Sequence, residues 1–277
     1  MPTLIDYWII HLRAQGVSER TQSIYLGCIR TMIGDADPLT VTSRDLKAAL
    51  AGLRDRSPSY VHQHYRVAKT FFRWLVAEEE IEKSPVARVA EPIVPQKMTP
   101  VLSEKQLQQI LDQCKGRDPI SRRDSAVIRF LADTGCRREE VALLRRTDVD
   151  LPARAAVVLG KGSKPRAVYF SATTADALAR YLRGRRDDDT ALWIGRRGPI
   201  QPRAIHTIVR KRGAQAGIPG VFPHMLRHRF ASNFLERGGG EGDLMRLAGW
   251  STREMLDHYG AAVADQRAAK AYRRIFD

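Results

Sequence analysis

The sequence predicts a mainly α-helical chain with one small β-sheet. A helical N-terminal domain is followed by a mixed α/β C-terminal domain. Three observations predict this. Apolar residues recur at helical spacing through roughly the first 85 residues. Three prolines between Pro92 and Pro100 resist both helix and sheet and mark an extended linker. Further on, Ala155–Leu159 and Arg166–Phe170 read as strands flanking Gly160-Lys161-Gly162-Ser163-Lys164-Pro165, which has the composition of a hairpin turn. The expected boundaries are 1–88 for the helical domain, 89–102 for the linker and 103–277 for the mixed domain.

In the helical domain, Leu4, Ile5, Trp8 and Leu12 share one helix face. A second helix starts after Ser18 as N-cap, carries Ile24, Tyr25, Cys28, Ile29 and Met32, and stops at Gly34. Thr42-Ser43-Arg44-Asp45 is a capping box that opens a third helix running to Leu53. Ser57-Pro58 opens a fourth, with proline in the first turn. On that helix His62, Arg66, Lys69 and Arg73 form a basic stripe beside an apolar arc of Val61, Tyr65, Ala68, Phe72 and Leu75. Such a stripe fits a DNA groove and equally an ordinary solvated face.

Beyond the linker, Ser103-Glu104-Lys105-Gln106 is a new capping box. Helical patterns cover about 103–115, 119–134, 137–145, 173–183, 202–215, 223–237, 241–248 and 265–275, with a short strand at 191–194. The acidic runs Glu78–Glu80 and Asp187–Asp189 read as solvated helix ends or loops.

Composition narrows the function. The chain has 277 residues, 43% hydrophobic and 28% charged, and no apolar run of membrane-spanning length. Its first residues do not form a secretory leader. Three well-separated cysteines exclude a disulfide scaffold and suit a reducing cytoplasm. The net charge is +15, unevenly spread: residues 1–95 hold 12 basic and 11 acidic side chains, residues 96–277 hold 34 and 20. A polyanion, most simply nucleic acid, is the expected partner of the second half.

The motifs of nucleotide and metal chemistry are absent. Gly160–Lys164 lacks the P-loop spacing, no zincin His pair occurs, and no carboxylate cluster suits a two-metal nuclease. No cofactor and no metal is expected. What remains is a set of cations and one nucleophile. Arg137 follows the helix-ending Gly135, where a phosphate can be met, and Glu140 lies three residues on, on the same face. His224 and Arg227 stand at i, i+3, so both point the same way. Leu247-Ala248-Gly249-Trp250-Ser251 comes next, and Tyr259 lies nine residues past Trp250.

In this order the pieces resemble the tyrosine recombinases, the phage-integrase family. Thr134 to Glu140 matches its Thr-Gly-x-Arg-x-x-Glu motif. Gly160 to Arg166 matches its Gly-Lys-Gly-x-Lys-x-Arg hairpin, and His224 to His228 its His-x-Leu-Arg-His motif. Leu247 to Ser251 matches Leu-Gly-His-Ser imperfectly, with Trp250 where most members have His. Cys136 also departs, replacing an aliphatic residue. The resemblance covers about residues 103–277; the N-terminal half is loosely similar to the helical, SAM-like core-binding domain. It implies a minimal Xer- or integrase-like member that lacks the arm-binding domain.

The resemblance implies a site-specific recombinase that cleaves and rejoins DNA through a 3′-phosphotyrosyl link. Tyr259 is then the nucleophile, Arg137 and Arg227 neutralise the phosphate, and Trp250 adds a neutral donor. His224 is the base and Lys161 the acid for the leaving 5′-oxygen. Glu140 orients Arg137, and DNA is expected to contact His62, Arg66, Lys69, Arg73, Lys164 and Arg166. The implied partner is double-stranded DNA with inverted half-sites, bound by a monomer that becomes a homotetramer on paired sites. The implied location is the cytoplasm, in association with DNA. Three alternatives share part of the pattern: a type IB topoisomerase, a catalytically silent DNA-binding protein of the same fold, and a basic RNA-binding module.

Overall fold

The computed structural model describes residues 3–95, 100–160, 162, 164–253 and 256, together with 269, 272, 273 and 276. It is mainly helical with a small antiparallel sheet and divides into two compact units, residues 1–97 and 98–277.

The first unit holds four helices: α1 (Leu4–Ala14), α2 (Glu19–Ile33), α3 (Ser43–Gly52) and α4 (Pro58–Ala77). Their starts follow from local chemistry. Ser18 and Ser57 cap α2 and α4 through their hydroxyls, and Thr42 forms a reciprocal box with Asp45 at α3. Thr3 and Asp6 form another at α1, which the sequence reading did not single out. The buried face of α4 is wider than the expected arc. His64, Val67, Phe71 and Trp74 are buried as well as Tyr65, Ala68, Phe72 and Leu75. The reason is packing from several directions: α2 and α3 both lie against α4, and Phe71 meets Trp8 of α1 edge to face at 4.9 Å.

The expected linker 89–102 is tied down at both ends. Val89 belongs to the core of the first unit, and Leu102 is buried in the core of the second. Between them, Glu91 reaches back to α4, where its carboxylate lies 2.9 Å from His62 Nε2 and 3.7 Å from Lys69 Nζ.

The second unit is built around α6 (Pro119–Thr134), whose Ala126, Val127, Ile128, Phe130 and Leu131 are buried. Helix α5 (Glu104–Asp112) precedes it and α7 (Arg138–Ala142) follows after a three-residue turn. A sheet in the order β1 (Val149–Asp150), β2 (Ala155–Leu159), β3 (Pro165–Tyr169) comes next, with β2 and β3 paired from Ala155↔Tyr169 to Leu159↔Pro165. Alternation places Ala156, Val158 and Val168 inward. Helix α8 (Ala172–Arg183) packs on α6. It is followed by a two-residue hairpin of β4 (Ile194–Gly195) and β5 (Gly198–Pro199), then α9 (Pro202–Gln215), α10 (Pro223–Glu236) and α11 (Glu241–Ala248).

Some expectations are corrected. The strand expected at 191–194 shrinks to Ile194–Gly195, because Leu192 and Trp193 are fully buried and Ala191 makes only an isolated bridge to Arg145. The acidic run at 187–189 is not merely solvated. Asp187 pairs with Arg185 and Arg146, and Asp189 accepts from the Ala191 N–H. The helix expected near 265–275 lies largely outside the described residues.

Gly135 is where the fold sets up its site. It ends α6 in the left-handed conformation, with φ 60° and ψ 18°. A Cβ there would sit 2.4 Å from the Phe230 ring of α10. Replacement of Gly135 by alanine is therefore expected to cost more than the roughly 1–2 kcal/mol of left-handed strain alone, because α10 must also shift. Urea unfolding of Gly135→Ala measures it, and a loss under about 1 kcal/mol would contradict the close packing.

Candidate active site

Turns and helix ends bring the cations of the second unit to one cleft. Thr134 donates its hydroxyl to the Phe130 carbonyl at 2.6 Å and accepts from the Cys136 N–H at 3.3 Å. That double role fixes the turn through Gly135 and places Arg137 at the start of α7. Arg137 donates through Nη1 to Glu140 Oε1 at 3.1 Å, and its backbone N–H donates to Glu140 Oε2 at 2.8 Å. Its side chain remains 38% exposed, open to a ligand.

Glu140 is buried and serves two arginines. Arg166, from β3, donates through Nη1 and Nη2 to the two carboxylate oxygens at 2.8 and 2.7 Å. Burial pushes the Glu140 carboxyl up, but bonds from Arg166 and Arg137 outweigh it and hold the group below its ordinary range. Arg166 also donates Nε to the Leu247 carbonyl at 2.9 Å. Glycines leave room for it: a Cβ on Gly249 would approach the guanidinium to 3.1 Å, and one on Gly160 to 3.4 Å.

Arg227, 1% exposed, donates to the Gly135 carbonyl at 2.6 Å and to the Ala248 carbonyl at 2.7 Å. The ring of Trp250, itself buried, lies under its guanidinium at 5.2 Å. Arg137 Nη2 points to the Gly249 carbonyl at 3.4 Å. Three arginines from three elements thus address three successive carbonyls, Leu247, Ala248 and Gly249, at the C-terminal end of α11. Those groups have no partner within the helix, and cations complement that end of its dipole.

A cleft of about 360 Å³ opens beside this cluster, lined among others by Arg137, Arg138, His206, His224 and Arg227. Partial burial, then the charges of Arg227 and Arg137, hold the His224 imidazole below the ordinary histidine value. The ring is therefore mainly neutral at pH 7. Cys136 is fully buried, and burial pushes its thiol up to about 11, so it is inert.

The structure brings Arg137, Glu140, His224, Arg227 and Trp250 together. Lys161 and Tyr259 lie outside the described residues. Lys164 is exposed on the hairpin, and Arg66, Lys69 and Arg73 are exposed on α4 with His62 half-buried. Arg166 is a correction. Expected to face DNA, its side chain is 12% exposed and committed to Glu140 and Leu247. Its partner lies 26 residues away, so no local spacing signals that pairing. His206 was missed because a lone half-buried histidine on α9 carries no motif.

The phage integrase family model matches residues 100–266. XerC tyrosine recombinases are similar over nearly the whole chain. The one from Corynebacterium efficiens is 31% identical over 97% of this chain and 88% of its own. The one from Mycobacterium sp. strain JLS is 30% identical over 91% of each. Among solved structures, the Tn1549 transposon integrase in complex with transposon right end DNA superposes with a TM-score of 0.78, at 19% identity, over 98% of this chain and 99% of that one. A lambda integrase dimer bound to a COC′ core site gives 0.76, at 16% identity, over 92% and 93%. At these identities the structural likeness is one of fold.

The Glu140–Arg166 pair gives a stability test. Glu140→Ala leaves a buried guanidinium without its partner and is expected to cost about 3–5 kcal/mol. Replacing both members with apolar residues, Glu140→Met and Arg166→Leu, is expected to recover most of that loss. Chemical denaturation of the single and double variants measures both. If Glu140→Ala alone costs under about 1 kcal/mol, the pair does not hold the unit together.

Proposed function

The chain belongs to the phage integrase family, the tyrosine recombinases, and from that premise we propose that it cleaves and rejoins DNA at specific sites by phosphoryl transfer. One observation carries this reading: Arg137, Arg227 and a neutral His224 line one cleft at the end of α6. Two fixed guanidiniums beside a neutral base fit a phosphodiester that gains negative charge in its transition state.

In the proposed step the Tyr259 hydroxyl oxygen bonds to phosphorus and the bond to the 5′-oxygen breaks. The product is a 3′-phosphotyrosyl link and a free 5′-hydroxyl. The phenol has a pKa near ~10, so a base must take its proton, and His224 is suited to that. Lys161 delivers a proton to the leaving oxygen. Arg137 and Arg227 hold the non-bridging oxygens, and Glu140 holds Arg137 in place. The α4 stripe of His62, Arg66, Lys69 and Arg73, with Lys164 on the hairpin, contacts the duplex backbone. The DNA is expected to carry inverted half-sites and to assemble four protomers on two paired sites, since strand exchange needs four nicks. The DNA-bound integrases with the same fold support a DNA substrate.

The nucleophile is tested with a radiolabelled nicked half-site and denaturing electrophoresis. Tyr259→Phe is expected to bind DNA as the parent does and to leave no covalent adduct. A persistent adduct would move the nucleophile elsewhere. Arg137→Ala is expected to slow cleavage by about 10²–10³, with a smaller loss of binding because other cations still hold the backbone. Near-parental cleavage by that variant would remove Arg137 from the phosphate site.

The second test is the pH dependence of cleavage. A depressed His224 is neutral down to a pH below the ordinary histidine value of about 6.5. The rate is therefore expected to rise with pH along an acid limb below that value and to be level at neutrality. Arg137→Gln removes a cation that disfavours the imidazolium, so the limb moves up in pH. A limb that stays in place in both Arg137→Gln and His224→Gln would assign the base to another group.

A further inference from the structure

A second concave basic surface lies in the same unit, away from the candidate active site. It is a cavity of about 630 Å³ where the N-terminal turn of α6, the C-terminal end of α8 and the β4–β5 hairpin meet. Six arginines line it: Arg122, Arg123, Arg183, Arg185, Arg186 and Arg196. From Arg123 in its lining to Gly135 is twelve residues along α6, about 18 Å at 1.5 Å per residue.

Its cations fall into two groups. Arg123 and Arg185 build the walls. Arg123 is held by Asp124 and the Ile194 carbonyl, and Arg185 by Asp187 and the carbonyls of Ala191 and Leu192. Arg122, Arg183, Arg186 and Arg196 make no salt bridge among the described residues. The last three are exposed. Glycine shapes the wall here too, since a Cβ on Gly184 would come within 3.2 Å of the Arg122 guanidinium. Three of the carboxylates nearby are already engaged. Asp187 is taken by Arg185 and Arg146, Asp189 caps the Ala191 N–H, and Asp124 is buried against Arg123 and Arg212. Four guanidiniums around one hollow give it a positive potential that favours an anion, and their planar forks suit phosphate oxygens.

We propose that this hollow is a second binding site for the phosphodiester backbone of duplex DNA, apart from the phosphate that reacts. The proposal rests on the DNA reading above and adds a surface which that reading does not use. The backbone belongs either to the flank of the duplex being cleaved or to a second duplex. The chemistry is the same in both cases: charge-assisted bonds from guanidiniums to phosphate oxygens.

The test uses the full chain and a 40-base-pair duplex, with binding followed by fluorescence anisotropy across salt concentrations. The variant is Arg183→Gln/Arg186→Gln/Arg196→Gln, which keeps most of each aliphatic stem and leaves the wall residues intact. Its melting temperature is expected to match the parent. If the hollow holds the flank of one duplex, the slope of log K against log salt becomes shallower by about 2–3, as counterion release falls by about 0.9 per lost phosphate contact. If it holds a second duplex, single-duplex binding is unchanged, but capture of a labelled duplex onto an immobilised, protein-loaded one is lost. Either result supports the site. Parental behaviour in both measurements overturns it. An Arg66→Gln/Arg73→Gln control on α4 separates this failure from that of the wider reading. If the parent binds no duplex, the DNA reading itself is at fault; if the parent binds and this control binds equally well, only the α4 stripe is removed as a contact.

Discussion

The buried ion pair between Glu140 and Arg166 is the constraint on which the site depends. Glu140 stands on α7, just after the turn that presents Arg137, and Arg166 stands on β3, just after the lysine hairpin. Their two-pronged contact locks the sheet to α7. Arg166 then reaches the Leu247 carbonyl, and Arg137 and Arg227 reach the next two. Three segments far apart in sequence are thereby bridged by guanidinium groups, beside the apolar packing of α10 on α11. Arginine suits this because a planar fork can bond a carboxylate and a carbonyl at once, which a single ammonium cannot do with the same geometry. A buried pair of this kind adds little net stability over apolar packing, so its value lies in the geometry it imposes.

The α11 terminus is the recipient of that geometry. Helix C-termini leave carbonyls that need donors, and here the donors are Arg166 and the cleft-lining Arg137 and Arg227. The segment that follows α11 leads through Trp250 toward Tyr259 in the sequence. Where that segment departs is thus set by the same groups that would hold a phosphate. The Arg137 contact to the Gly249 carbonyl, at 3.4 Å, is the longest of the three, and Arg137 is the most exposed of the three arginines. It is the member of the cluster whose hydrogen bonds a ligand can most readily redirect.

Much of the fold was legible because its signals are local. The serine and threonine caps at Ser18, Thr42, Ser57 and Ser103 each satisfy backbone N–H groups within three residues, so sequence spacing suffices to find them. The turn at Gly135 was legible for the same reason. What escaped depends on partners distant in sequence. Arg166 looks like a surface cation until the chain brings it to Glu140, 26 residues away. The wide buried face of α4 depends on α1, α2 and α3 surrounding it. The short strand β4 covers only the two residues that pair with β5, while Leu192 and Trp193 before it enter the core. Motif order found the cluster of Arg137, His224 and Arg227, but nothing in that order says that Arg227 is buried or that Trp250 lies beneath it.

The two units differ in how their charges are answered. In the first unit, Glu91 is held by His62 and lies near Lys69, and the hydrogen bond from His62, aided by nearby cations, keeps its carboxyl below the ordinary range. The stripe on α4 is thus partly answered from within the chain, which agrees with the near-neutral balance of residues 1–95. In the second unit the surplus is real. Around the cleft, one buried carboxylate serves Arg137 and Arg166 together, so those three groups carry a net positive charge, to which Arg227 adds another. In the proposed reaction a phosphodiester would bring one negative charge and develop more as a fifth bond forms at phosphorus. Cations fixed by backbone carbonyls need little reorganisation when that charge appears, and this is the arrangement that favours the transition state over the ground state.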